Sequence, residues 1–332
     1  MATAIPPLEE SEKVELGYAQ SDANVTARPA GNAATMVIAS YNIRYAVGSR
    51  LISGGLLRKA GLMRLARREE EVAQNIRTAS HAFSDGELLP VVDVLALQEA
   101  DKRTKRAGTH HVASELADAL RMNWIHLPAG IPRGQKPTTR QWWLDFEEPI
   151  DLYDAGDTGI GLLSRLPLSQ VTRIDLPWHE CAWRPRLAMA VTVSVGAKKL
   201  RIFNAHVDPH AAVDRQLEQL QVLVELADKE TGPTLILGDF NTLSKRKVAE
   251  TRSFFESHGY STPFPSGTPT WRGMGIRLHA DWIFHRGVQI ARWGVARPLG
   301  VSDHWPIWAE VQMPDAEVQM PDAEVQMPDA GC

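Results

Sequence analysis

Thr234-Leu235-Ile236-Leu237-Gly238-Asp239-Phe240-Asn241 joins a short apolar run to an aspartate and an asparagine two positions apart. Side chains alternate faces along an extended chain, so positions 239 and 241 share one side of a segment whose preceding run is suited to burial. The pattern recurs along the chain. Met36–Ile43 carries Asn42 near its end, Val91–Leu97 leads into Gln98-Glu99, Leu200–Ala205 contains Asn204 and stops before His206, Leu278–Phe284 encloses Asp281, and Asp303-His304 precede Pro306–Val311. Ligands of sheet proteins gather beyond strand ends, where loops bring distant side chains together. Each residue alone has a plainer reading: a turn cap for Asn42, an ordinary strand-end carboxylate for Glu99, a satisfied core imidazole for His206, a loop cap for Asp303. Their ordered combination points to a site.

The remaining periodic segments supply the framework. Gly159–Leu163 and Leu187–Val195 read as strands, and 62–79, 111–120 and 211–228 carry apolar residues at helical spacing. Strands that follow one another without an intervening helix predict a mixed, layered α/β domain over 35–312, not a regular doubly wound one. Residues 1–34 read as a loosely ordered lead-in in which Val14–Tyr18 could add an edge strand. The glycine-bearing stretch 51–64 reads as an insertion packed on the body or as a mobile element over a site, and 128–158, with Trp142-Trp143, as a long surface loop. Ala309–Asp315 recurs unchanged at 316–322 and 323–329. A proline in every copy defeats a continuous helix, so 313–332 reads as a disordered repeat.

Composition narrows the function classes. The 332 residues are 44% apolar and 23% charged, which excludes wholesale disorder. With 36 Lys and Arg against 40 Asp and Glu, the net charge of -4 supplies no global field for duplex nucleic acid and leaves only a local groove for it. The cysteines are Cys181 and Cys332, so neither a disulfide framework nor a cysteine zinc cluster is available and a metal must be held by oxygen and nitrogen. No basic start precedes an apolar run and no long apolar segment occurs, so the expected location is the cytoplasm, with no transmembrane segment and no obligate protein partner.

The strings SYNIR around Asn42, ALQEAD around Glu99, GIGLLSR at 159–165, FNAHVD around His206, LILGDFN around Asp239 and Asn241, HADWIF around Asp281 and VSDHWP around Asp303 and His304 together resemble the endonuclease/exonuclease/phosphatase superfamily. The resemblance spans about residues 36–311. It implies an α+β fold, a four-layered α/β sandwich whose two mostly antiparallel sheets pack between helices, with the site at one edge of the sheets. It implies that Glu99 is the principal Mg2+ or Mn2+ ligand, with Asn42 beside it and Asp303 near the same cation. His206 would contact or protonate the scissile phosphate, Asp239 and Asn241 would orient nucleophile and substrate, and Asp281 would hold His304. Hydrolysis of a phosphate ester needs neutralised non-bridging oxygens, an in-line activated water and a stabilised leaving oxygen, and hard oxygen donors suit Mg2+. Either His304 or Asp239 could take the proton from that water.

The expected function is thus divalent-metal-dependent hydrolysis of a phosphate-ester substrate, foremost as a phosphodiesterase. A phosphomonoesterase or lipid or inositol head-group hydrolase, a DNA or RNA nuclease, and an inactive binding scaffold are the alternatives. Lys102, Arg103, Lys105 and Arg106 could bind a second phosphate or form a solvated charge run, both readings standing equally. The carboxylate that supports the phosphate-contacting histidine in deoxyribonuclease-like members has no matched motif, although Asp145, Glu147 and Glu148 fall in the corresponding interval.

Overall fold

A computed structural model describes residues 14–18, 35–48, 65–131, 150, 153–177, 185–273 and 275–314. The stretch 51–64, the middle of 128–158 and the repeats beyond 314 lie outside the described residues. Along the chain run β1 (Glu15–Gly17), β2 (Thr35–Asn42), α1 (Leu65–Ser84), β3 (Val94–Gln98), α2 (Val112–Leu120), β4 (Asn123–Pro128), β5 (Gly159–Ser164), β6 (Leu168–Asp175), β7 (Leu187–Val195) and β8 (Lys198–His206). They are followed by α3 (Val213–Ala227), β9 (Thr234–Asp239), α4 (Lys245–Ser257), β10 (Trp271–Gly273), β11 (Ile276–Leu278), β12 (Asp281–Arg286), β13 (Gln289–Val295) and β14 (Ile307–Gln312).

Alternation along these strands sorts the molecule into layers. A seven-stranded sheet has the order β1-β4-β5-β3-β2-β14-β13, and a five-stranded sheet the order β12-β9-β8-β7-β6. Met36, Ile38, Val94 and Ala96 of the first sheet meet Leu200, Ile202, Leu235, Leu237 and Ile283 of the second in a core between the sheets. The intervening residues Val37, Ala39, Tyr41, Leu95 and Leu97 point the other way and are covered by Val72, Ile76 and Phe83 of α1 and Leu116 and Leu120 of α2. On the far side Phe203, Ile236, Trp282 and Phe284 receive Leu220, Leu223 and Val224 of α3 and Val248 and Phe255 of α4. The result is the four-layered α+β sandwich, helix on sheet on sheet on helix.

The pairings are antiparallel except for one parallel pair in each sheet, β2 with β3 and β8 with β9. Parallel neighbours end together, so Asn42 stands beside Gln98 in one sheet and His206 beside Asp239 in the other. Antiparallel β12 then places Asp281 opposite Asp239. Close approach of β8 and β9 requires glycine at 238, where φ is 138° and a Cβ would fall 2.0 Å from the Ala205 carbonyl oxygen.

Three expectations need correction. The run Leu278–Phe284 is not one strand: β11 ends at Leu278 and β12 starts at Asp281. Between them the amides of Ala280 and Asp281 both donate to Thr270 Oγ1, which breaks the ladder and puts Asp281 at a strand start. The cations 102–106 do not converge on one anion. Lys102 pairs with Glu15, the buried Arg106 pairs with Asp101 through Nε at 2.6 Å and lies 4.0 Å over the Tyr45 ring, and Arg103 and Lys105 face outward. The described ends of 128–158 are also only partly surface loop: Tyr153 and Ala155 are exposed, but buried Asp154 accepts from the Lys105 amide and buried Asp157 from the Gly130 amide.

Candidate active site

The parity that makes the inter-sheet core also makes the site. Continuing inward positions along each strand by steps of two leads from Met36 and Ile38 to Ser40 and Asn42, from Val94 and Ala96 to Gln98, from Leu200 and Ile202 to Asn204 and His206, and from Leu235 and Leu237 to Asp239. The space between the sheets therefore changes from apolar to polar toward one end. A first polar layer is joined across the sheets: Gln98 Nε2 donates to Asn204 Oδ1 at 2.7 Å and to Ser40 Oγ at 3.2 Å. Asn204 Nδ2 donates to the carbonyls of Leu97 at 3.0 Å and Gly161 at 2.9 Å. These buried groups bridge the two sheets and form a floor in which Gln98 Oε1 alone among their named side-chain atoms lacks a hydrogen-bond partner.

Above the floor the titratable groups converge. Asn42 Nδ2 reaches across from the first sheet to donate to Asp239 Oδ2 at 2.9 Å. His206 Nε2 lies 3.8 Å from Glu99 Oε1 and 3.7 Å from Asp239 Oδ2. His304 Nδ1 is 2.9 Å from Asp281 Oδ2, while its Nε2 faces Asp239 Oδ2 at 3.7 Å. Asn241 donates its amide to Asp239 Oδ1 at 2.9 Å and its Nδ2 to the Val207 carbonyl at 2.9 Å. Asp303 accepts from Trp271 Nε1 at 3.1 Å and stands 3.5 Å from Arg44 Nη1. The sequence-predicted positions thus lie at one end of the sandwich, with Asn42, Glu99, His206, Asp239, Asn241, Asp281 and His304 linked through Asp239 and Asp303 reached through Arg44.

The backbone turns sharply here. Glu99, directly after β3, and Asn241, two residues after the end of β9, have φ of 52°, and Arg44, Tyr45 and Ala46 after β2 have φ of 46°, 43° and 58°. Non-glycine residues reach this left-handed region at a cost of about 1–2 kcal/mol each, so three strand ends share one strained solution that aims side chains over the strand edges.

Burial and like charge set the electrostatics. Burial raises the Asp239 carboxyl and neighbouring Asp281 adds to this, against the opposing effects of His304 and Asn42, to about 7. Burial works against a charge on His304, but Asp281 and Asp239 outweigh it and raise the imidazole to about 10. The two groups face each other and titrate as a unit. Burial likewise opposes the Arg44 charge, yet Asp303, Tyr45 and Glu99 hold that guanidinium above its ordinary range.

Two arginines were not singled out in the sequence. Arg186, buried, places Nη1 3.1 Å from His206 Nε2 and 3.3 Å from Nδ1. It follows Trp183-Arg184-Pro185 without periodicity, and only its burial marks it. Arg44 closes the string SYNIR, two residues after Asn42.

Carboxylate and amide oxygens with two imidazoles form a donor set for a divalent cation. One ligand atom each from Asp239, Asp281 and His304 lies within 4.8 Å of the others. Asp281 already anchors His304 Nδ1, so the hard donors are the carboxylates of Asp239 and Glu99 and the side-chain oxygen of Asn42, which accepts from the Arg44 amide at 3.0 Å. The Asp239 carboxyl is raised by burial first and by the adjacent Asp281 second, and a divalent cation beside the two carboxylates would offset both effects. The residues therefore fit the ion.

Comparison with known proteins agrees. A structure from Leptotrichia buccalis, an endonuclease/exonuclease/phosphatase family protein, is similar at a TM-score of 0.56 and 14% identity, covering 83% of this chain and 99% of that one. The mannosyl-6-phosphatase Bt3783 of Bacteroides thetaiotaomicron is similar at a TM-score of 0.54 and 14% identity, covering 83% and 99%. These likenesses show the fold alone. The UPF0294 protein YE0917 of Yersinia enterocolitica is 29% identical over 132 residues, 38% of this chain, and the match spans half of that relative's length. Fold and site support metal-dependent phosphoesterase or nuclease-type hydrolysis in general terms. The family model described as Endonuclease/Exonuclease/phosphatase family matches residues 39–304, well over half of the sequence, and the chain belongs to that family.

Proposed function

We propose that the protein hydrolyses phosphate esters, foremost phosphodiesters, with a resident Mg2+ or Mn2+. The observation that carries this reading is the register row His206, Asp239, Asp281 at the end of one sheet, facing Asn42 and Glu99 at the end of the other. Glu99 is the principal metal ligand, with Asn42 beside it and Asp303 near the same ion. When bound, the cation supplies Lewis-acid stabilisation of the charge that develops on the phosphoryl oxygens.

The chain's own groups do the rest. Asp281 fixes the His304 ring through Nδ1 and so aims Nε2 at Asp239. The proton leaving the attacking water enters the Asp239–His304 pair, since neither group is isolated from the other. Asn241 holds Asp239 through its amide and keeps the trajectory of the water. Arg186 and His206 line a small cleft with Thr158 and Ile160 and face the substrate, Arg186 presenting positive charge to its non-bridging oxygens.

A panel of bis(p-nitrophenyl) phosphate, p-nitrophenyl phosphate, single- and double-stranded DNA, RNA, sphingomyelin and inositol phosphates, each with Mg2+, Mn2+ or chelator, tests the proposal. Turnover of a diester that chelator abolishes and Mg2+ restores is the expected result. Turnover of monoesters alone would reassign the substrate class, and no turnover of any phosphate ester would overturn the reading.

A further inference from the structure

A second cluster of metal-ligating side chains lies away from the strand-end site. In β4 the inward residues Ile125 and Leu127 belong to the inter-sheet core, so His126 between them points to the opposite, helix-bearing face of the seven-stranded sheet. On that face Glu15 of the edge strand β1 is its direct register partner, and His111 is the N-cap residue of α2, which packs there. Gly17 lets β1 lie close, because a Cβ there would fall 2.1 Å from Trp124 Nε1. One ligand atom from each of Glu15, His111 and His126 lies within 4.8 Å of the others. The His111 and His126 rings stand edge to face, 5.0 Å between centroids.

The hydrogen bonds leave this cluster incomplete. His126 Nε2 donates to the Ala100 carbonyl at 2.8 Å, which fixes the proton on that nitrogen and leaves Nδ1 as the lone-pair atom. That Nδ1 is buried and has no hydrogen-bond partner, in a residue with no exposed surface. Burial, with His111 adding to it, lowers the His126 imidazole to about 4, so its lone pair is free across the neutral range. Glu15 Oε2 meets His111 Nε2 at 2.9 Å, and Lys102 holds the other carboxylate oxygen.

We infer that Glu15, His111 and His126 form a second cation site, for Zn2+ or a similar borderline divalent ion, which fastens the edge strand to α2 and β4. Two imidazoles and one carboxylate are a donor set for zinc with a fourth position left to water, and nitrogen donors select it over Mg2+. Ligands on a tetrahedral zinc are about 3.4 Å apart, so ligand atoms that lie within 4.8 Å of one another need to close by at most about 1.4 Å. Coordination at Nε2 moves the His111 proton to Nδ1 and releases the 3.3 Å contact from the Ser114 amide, the longest contact in the cluster. Lys102 stays on the carboxylate oxygen that does not bind the ion.

The test uses the full chain, stripped of metal and then held in millimolar Mg2+ so that the strand-end site is filled. Zn2+ uptake is titrated against a chromophoric chelator, and Co2+ is followed by its visible d–d bands. The wild type should take one Zn2+ equivalent that Mg2+ does not displace, and Glu99→Gln should keep it. His126→Gln retains an amide N–H for the Ala100 carbonyl but no imidazole lone pair, and Glu15→Gln weakens the carboxylate; each should lower the affinity at least about tenfold. Should His126→Gln fail to fold by circular dichroism, Glu15→Gln on the short edge strand decides. Unchanged Zn2+ uptake in Glu15→Gln and in any folded His126→Gln, uptake lost only in Glu99→Gln, or no uptake at micromolar Zn2+ would each overturn the inference and leave Glu15, His111 and His126 a metal-free cluster.

Discussion

Asp281 and Asp239 are opposite each other in adjacent antiparallel strands, an arrangement that is destabilising for two like charges unless something positive intervenes. His304 intervenes, with one ring nitrogen toward each carboxylate. The site reading makes Asp281 a positioning residue: it fixes the ring's tautomer and orientation for the Asp239–His304 pair. His304→Ala is expected to lower kcat by about 100-fold or more with little change in KM. Asp281→Asn should lose a large part of the same factor by favouring the wrong tautomer, and the double variant should fall far short of the product of the single losses. A cycle on kcat in saturating metal, with circular dichroism on each protein, measures this. Multiplicative losses would uncouple Asp281 from His304 and leave Asp239 alone as the base.

At the scale of elements the strand ends carry both stability and chemistry. Gly238→Ala forces a Cβ against the Ala205 carbonyl in the parallel pair that presents His206 and Asp239, and chemical denaturation should show a loss of at least about 2 kcal/mol. In the polar floor, Asn204→Ala leaves the carbonyls of Leu97 and Gly161 and the Gln98 amide without that partner, for a loss of about 1–3 kcal/mol in the same measurement. His279, between β11 and β12, is stacked on Trp282 at 3.9 Å and lowered by burial to about 4. The unfolded chain binds a proton there below about pH 6.5 and the folded one does not until about pH 4, so this contribution is whole above pH 6.5 and is lost as the pH falls toward 4. At pH 5 the loss is on the order of 2 kcal/mol. His279→Asn keeps an acceptor for the Gly267 amide and cannot become charged, so its stability should fall less steeply between pH 6.5 and 4 than that of the wild type. An equal slope would remove His279 from the account.

The elements legible in the sequence were those buried on at least one continuous stripe. β2, β3, β5, β7, β8, β9 and α3 announce themselves by alternation or helical spacing of apolar residues. β6 and β13 did not, because they are sheet edges: Gln289–Val295 has no fully buried residue and Leu168–Asp175 has only one. The helix Lys245–Ser257 has no legible stripe, because only Val248, Thr251 and Phe255 point inward, too few to stand out among its charges. The candidate site was more legible than the framework, since its residues end strong strands in short motifs. Arg186 was not, because its proximity to His206 depends on a segment without periodicity.

For the molecule as a whole, two sheets stacked face to face place the ends of their parallel pairs opposite each other, and one continuous inter-sheet space turns from hydrocarbon to carboxylate along its length. Among the described residues no helix is long and apolar enough to cross a membrane. The central claim is that this polar end holds a divalent cation on Glu99 and hydrolyses a phosphate ester with it. The most direct measurement is turnover of bis(p-nitrophenyl) phosphate in saturating Mg2+ or Mn2+ by the wild type and by Glu99→Gln, which keeps the side-chain shape and removes the charge, with thermal unfolding of both to establish equal folding. A fall of roughly 100-fold or more, corresponding to a few kcal/mol of transition-state stabilisation, is the predicted result. Equal turnover by the two proteins would contradict it.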